Sequence, residues 1–147
     1  MAAQGIRRLP VANDPLFVYG TLRFPEVLTE LIGRTPGIEA AWVSGRRTAA
    51  LPERVYPGLV AAVGAMAHGA VLSGLTAAEW RVLDAFEDDE YDLVPVFVHV
   101  GDRDLPAWTY AWTSEVLDQD WSAREFAAEH LPNYTGRCAL WRSELAG

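Results

Sequence analysis

Apolar positions recur along this chain with two periods, one of two residues and one of about 3.6, and the switches between them mark its elements. Leu16-Phe17-Val18-Tyr19 is an unbroken apolar run that predicts a buried strand, stopped by Gly20. Pro25 suits the first position of a helix, where a fixed φ and a missing N–H cost nothing. Val27, Leu28, Leu31 and Ile32 then repeat at helical spacing, and Gly33 stands where a C-terminal glycine cap belongs. Glu39 to Ala50, with Trp42 and Val43, predicts a strand. Leu51 to Gly58 holds two prolines and a glycine and predicts a loop. Leu59 to Val63 and His68 to Leu72 predict two short strands joined through Gly64.

The clearest start signal follows. Thr76-Ala77-Ala78-Glu79 is a capping box, and Leu75 with Trp80 forms its hydrophobic staple. The helix it opens turns Trp80, Leu83 and Phe86 inward and runs into Glu87-Asp88-Asp89-Glu90. Leu93 to Val100 alternates, with Val94, Val96, Val98 and Val100 on one face. Gly101 to Asp104 makes a turn, and Ala107 to Thr113 returns with Trp108, Tyr110 and Trp112 on one face, which predicts a hairpin. A second capping box, Ser122 to Glu125, with a staple of Trp121 and Phe126, starts a last helix ending near Pro132. Asn133 to Gly147 is expected to be irregular, with Tyr134 and Trp141 folding back on the core. Strands mixed with about three helices, without regular βαβ alternation, indicate an α+β fold. Residues 1–14 read as a flexible N-terminal arm and 15–147 as a single domain.

Composition narrows the class. In 147 residues, 20 acidic against 12 basic side chains leave a formal net charge of −8, which disfavours nucleic acid or an anionic membrane as partner. All the basic residues are arginines, so a P-loop lysine is impossible. The single cysteine, Cys138, excludes an internal disulfide and a multi-cysteine metal site. His68, His99 and His130 lack ligand spacing, so no metal is expected. The N-terminus has no apolar core of a signal peptide, and a cytoplasmic setting is expected. The oligomeric state is not legible.

Two places carry candidate chemistry. A strand that ends at a glycine and hands over to a helix gathers backbone N–H groups without local acceptors, a natural seat for a carboxylate or oxyanion; the plainer alternative is an ordinary connection. The second is the acidic run Asp84 to Glu90. At about 100° per residue, Glu87 falls between Trp80 and Leu83 on the buried stripe, while Asp84 lies at its edge and Asp88 is turned away. Apolar surroundings and the helix C-terminus both raise the pKa of such a carboxylate, and a glutamate base working near neutrality needs roughly 6–7. The alternative is a helix ending one residue early, with Glu87 in solvent. Tyr110 reads first as core, with a hydroxyl it can offer to a pocket.

Phe17-Val18-Tyr19-Gly20-Thr21-Leu22-Arg23, then Tyr56-Pro57-Gly58-Leu59, then Leu83-Asp84-Ala85-Phe86-Glu87-Asp88-Asp89-Glu90-Tyr91 resemble the gamma-glutamylcyclotransferase-like family. The branch most similar is the gamma-glutamylamine cyclotransferase and plant avirulence-induced-protein group, and the resemblance runs from about Leu16 to about Leu131. It implies a small mixed β-barrel flanked by helices. It further implies substrate binding by Tyr19, Gly20, Thr21 and Leu22, a catalytic role for Glu87, and no cofactor. The implied substrate is a small γ-glutamyl amine or amide, cyclised to 5-oxoproline. One departure stands out: the family pattern has an arginine two residues beyond the tyrosine, where this chain has Leu93. That change alters recognition of the substrate carboxylate or is purely structural, and it keeps open a non-catalytic, ligand-binding member of the same fold.

Overall fold

A computed structural model describes residues 14–146. Five strands, β1 (Leu16–Val18), β2 (Gly37–Ala49), β3 (Gly58–Ser73), β4 (Tyr91–Val100) and β5 (Arg103–Trp112), close a barrel in the order β1-β3-β2-β4-β5. Four helices, α1 (Pro25–Ile32), α2 (Ala77–Phe86), α3 (Ala123–Glu129) and α4 (Leu131–Ala146), flank it, and a 3-10 turn at Thr21–Arg23 joins β1 to α1. The expected α+β barrel is the observed architecture.

Closure falls on the short β1. It runs antiparallel to β3, with Phe17 opposite Val71, and parallel to β5, with Leu16 opposite Trp108. The Thr109 hydroxyl donates to the Phe17 carbonyl (2.9 Å). Both faces of β1 are apolar because both are buried. Phe17 and Tyr19 fill the barrel beside Val43, Leu59 and Val98, whereas Leu16 and Val18 face the helices, among Leu28, Leu31, Trp80 and Leu83. β5 divides in the same way: Ala107 lies inside, and Tyr110 and Trp112 lie in the outer core.

The first capping box forms as read, whereas the second expected box forms only its Ser122 side-chain half. The Thr76 hydroxyl accepts from the Glu79 N–H (3.1 Å) and the Glu79 carboxylate from the Thr76 N–H (3.0 Å). The Ser122 hydroxyl accepts from the Glu125 N–H (3.1 Å). Gly33 ends α1 with φ of 76°, a conformation that favours glycine.

Two expectations need correction. The segments 59–63 and 68–72 belong to one strand, β3, whose pairing with β2 shifts register between Ser44 and Arg46. Gly45 and Gly64 adopt positive φ there (77° and 81°), so the chain bulges without ending the ladder. Residues 133–146 are helical, not irregular. Pro132 lies in the first turn of α4, where it is tolerated, and Tyr134, Cys138 and Trp141 turn one stripe toward the outer core. The Arg142 guanidinium donates to the Leu31 carbonyl (2.9 Å), tying α4 to the end of α1. Of the expected N-terminal arm, residues 1–13 lie outside the described residues, and Asp14 accepts from the Trp108 indole (3.0 Å). Among the described residues no helix is long and apolar enough to cross a membrane.

Candidate active site

A cleft of about 420 Å³ opens where the ends of several barrel strands meet α2 and α4. Every residue singled out from the sequence borders it: Tyr19, Gly20, Thr21, Leu22, Glu87 and Tyr110. A second cleft of about 430 Å³ shares Tyr19 with the first, but its one carboxylate, Asp120, is paired with Arg47 (3.0 Å). The first cleft therefore holds the candidate chemistry.

Close packing shapes the β1–α1 connection. A Cβ on Gly20 would stand 2.7 Å from the Pro57 Cγ and 2.8 Å from its Cδ, so the Tyr56-Pro57 loop reaches the turn only because position 20 has no side chain. Gly69 plays the same part from β3, where a Cβ would meet the Val18 carbonyl oxygen at 2.2 Å. The Thr21 and Leu22 N–H groups open the 3-10 turn, ahead of any carbonyl of that helix. The Thr21 hydroxyl donates to the Tyr134 hydroxyl (3.4 Å), and the Tyr19 hydroxyl donates to the Tyr110 carbonyl.

Glu87 borders the same cleft from the end of α2. α2 stops at Phe86, one residue earlier than the wheel assumes, and Glu87 is its cap, with φ of −71° and ψ of 140°. Its N–H still reaches the Leu83 carbonyl (3.2 Å). Ending early does not deliver it to solvent: Glu87 is half-buried and borders the cleft. Three phenols register its charge. Burial, the largest cause in each, holds the Tyr19, Tyr91 and Tyr134 hydroxyls well above the ordinary tyrosine range, and the Glu87 carboxylate adds to it as a lesser cause. They stay protonated donors at any physiological pH.

Asp84, Asp88 and Glu90 of the acidic run are tied into the fold, and Asp89 is exposed. Asp84 accepts from the Tyr110 hydroxyl (2.8 Å), so that hydroxyl's proton is aimed at α2. Asp88 borders the cleft but accepts from the Tyr56 hydroxyl (3.0 Å) and the Glu90 N–H (3.2 Å). Glu90 pairs with Arg54 (2.7 Å), whose guanidinium also bonds Tyr56 (3.2 Å) and lies over the Trp112 ring (5.0 Å).

Leu93 pairs in register with Tyr110 and packs on the outer core. Cys138 is a buried free thiol bordering the cleft, and burial pushes its pKa up to about 11, so it is not a thiolate nucleophile near neutrality. His99 bonds Asp104 (2.6 Å) and stacks on Trp42 at the surface.

The contribution missed from the sequence is one wall of the cleft: Tyr134, Arg137, Cys138, Trp141 and Glu144 of α4. The spacing of Tyr134, Cys138 and Trp141, at steps of four and three, was the available signal.

Residues 16–126 match the family described as gamma-glutamyl cyclotransferase, AIG2-like. AIG2-like protein C of Arabidopsis thaliana is 40% identical over 102 residues, which span 68% of this chain and 59% of that protein. AIG2-like protein D of the same plant is 32% identical over 92% of this chain and 93% of its own length. An Arabidopsis protein of known solution structure superposes with a TM-score of 0.68 at 29% identity, covering 86% of this chain and 89% of that one.

Proposed function

Because this chain belongs to the gamma-glutamyl cyclotransferase, AIG2-like family, we propose that it cyclises a γ-glutamyl amine or amide to 5-oxoproline and releases the free amine. The observation that supports this reading is that Glu87 and the Tyr19–Leu22 turn border the same cleft.

The reaction asks little of the protein beyond restraint and proton transfer. The substrate's α-amino nitrogen attacks its own γ-carbonyl carbon, forming the C–N bond of a five-membered ring and a tetrahedral oxyanion. Collapse of that oxyanion breaks the bond to the departing nitrogen. Both reacting groups belong to one molecule, so holding it folded supplies much of the acceleration. Glu87 takes the proton shed by the α-ammonium group and returns it to the leaving amine. Backbone N–H groups of the turn stabilise the substrate carboxylate or the oxyanion.

The test is release of 5-oxoproline from a panel of γ-glutamyl amines, amino acids and peptides, with Glu87→Gln beside the wild type. Turnover by the wild type that collapses in Glu87→Gln is the expected result. Equal turnover by both removes Glu87 as the base. A second reading, a ligand-binding protein without turnover, is favoured by the apolar Leu93, and it requires saturable binding with no 5-oxoproline released by either protein.

A further inference from the structure

We infer that Arg137 of α4 is the residue that holds the substrate's α-carboxylate, so that Arg137 and Glu87 together recognise the two charges of an α-amino acid head group. This inference rests on the proposed cyclisation and deepens it.

A γ-glutamyl compound brings to the cleft an ammonium and a carboxylate on one carbon atom. Its recognition therefore calls for an anion and a cation that face the same volume a few ångströms apart. Among the described residues that border the cleft, Glu87, Asp88 and Glu144 are acidic and Arg137 is the one cation. The chain has no lysine to serve instead.

Arg137 is also well placed. Its guanidinium carbon lies 5.5 Å from the centre of the Tyr134 ring. The Tyr134 hydroxyl accepts from Thr21 of the candidate binding turn (3.4 Å). The same hydroxyl responds to both charges: Glu87 raises its pKa and Arg137 lowers it. Tyr134 thus lies under the guanidinium and beside the turn, on the wall of the cleft that Glu87 also borders. Among the described residues no carboxylate forms an ion pair with Arg137, so its five donors remain available to a planar bidentate partner such as a carboxylate. Leu93 is turned onto the outer core and brings no charge to the cleft. With the carboxylate on Arg137, the Thr21 and Leu22 N–H groups are left for the oxyanion.

The binding partner is therefore any small molecule with a free α-carboxylate on the pyrrolidone or glutamyl carbon. Calorimetric titration with 5-oxoproline tests this, with 2-pyrrolidone, the same ring without the carboxylate, as control. Loss of a charge-assisted bidentate contact in Arg137→Gln should weaken 5-oxoproline binding by about 10- to 100-fold and leave 2-pyrrolidone unchanged, while Arg137→Lys restores part of the loss. With a γ-glutamyl amine that the wild type turns over, Arg137→Gln should raise KM by a similar factor and keep kcat within about threefold, because the contact is the same in ground and transition states.

Undiminished 5-oxoproline binding by Arg137→Gln overturns the inference and leaves the cyclisation standing if turnover persists. A defect confined to substrates whose leaving group carries its own carboxylate also overturns it, since Arg137 would then read the leaving group. Wild-type protein that does not bind 5-oxoproline at millimolar concentration refutes the inference, and the proposed function falls with it only if the panel also yields no turnover.

Discussion

The Tyr19 hydroxyl donates a hydrogen bond to the main-chain carbonyl of Tyr110, a residue 91 positions away. The bond joins the end of β1 to β5 and fixes the first residue of the candidate binding turn from inside the barrel. Removing it in Tyr19→Phe strands a buried carbonyl, which costs about 1–3 kcal/mol. Urea denaturation should show a lower midpoint at an unchanged slope. An unaltered midpoint would mean the carbonyl finds another donor.

Gly20 and Pro57 make a second testable pair. The Cβ of Gly20→Ala would lie 2.7 Å from the Pro57 ring, an overlap expected to cost about 1–3 kcal/mol. Pro57→Ala removes the Cγ and Cδ atoms in question. The double variant should then be more stable than the sum of the two single losses predicts. Strict additivity would mean that the turn is displaced by something other than this contact.

Asp88 and Glu87 are neighbours with different employment. The Tyr56 hydroxyl and the Glu90 N–H donate to different oxygens of Asp88, so Asp88→Asn keeps one of these structural bonds and loses the other, and it should retain turnover within about tenfold. Glu87→Gln should lose about 10²- to 10⁴-fold, the usual range for a general base. Comparable losses in the two variants would indicate that the carboxylates share the proton.

Alkaline pH should expose the buried thiol. The unfolded chain ionises Cys138 near the ordinary value of 9.0, whereas the folded protein keeps it protonated up to about 11. Between these values the unfolded form has shed a proton that the folded form retains, so stability falls as pH rises through that window. Tyr19, Tyr91 and Tyr134, held above their ordinary range chiefly by burial, continue the decline at higher pH. The urea midpoint should hold steady up to about pH 9 and then drop, and Cys138→Ala should make the drop shallower between 9 and 11. An identical slope in the variant would assign the effect to the phenols alone.

What was legible in the sequence is what short-range physics decides. Thr76 and Glu79 satisfy each other's backbone, and Gly33 takes a conformation few other residues accept, so both helix ends were readable. Glu87 was readable because Trp80 and Leu83 define the buried stripe even though the helix stops one residue short of it. α4 was not, because Pro132 and Gly136 are poor helix formers. Its order comes from Tyr134, Cys138 and Trp141 meeting a core that other elements complete. Gly64 misled for a related reason: a lone glycine in an apolar run marks a strand end or a bulge equally well, and the continuous partner β2 decides between them.

The last helix has a consequence for how such proteins diverge. The five barrel strands end at Trp112, a single bridge of Ala49 with Asp120 follows, and α4 is held against the barrel by side-chain packing and contacts such as that from Arg142 to Leu31. Substitutions at Arg137, Leu140, Trp141 and Glu144 thus redraw one wall of the cleft and leave every ladder hydrogen bond untouched. Change in the shape and charge of the cleft can thus be confined to one helix, while the barrel and Glu87 stay as they are.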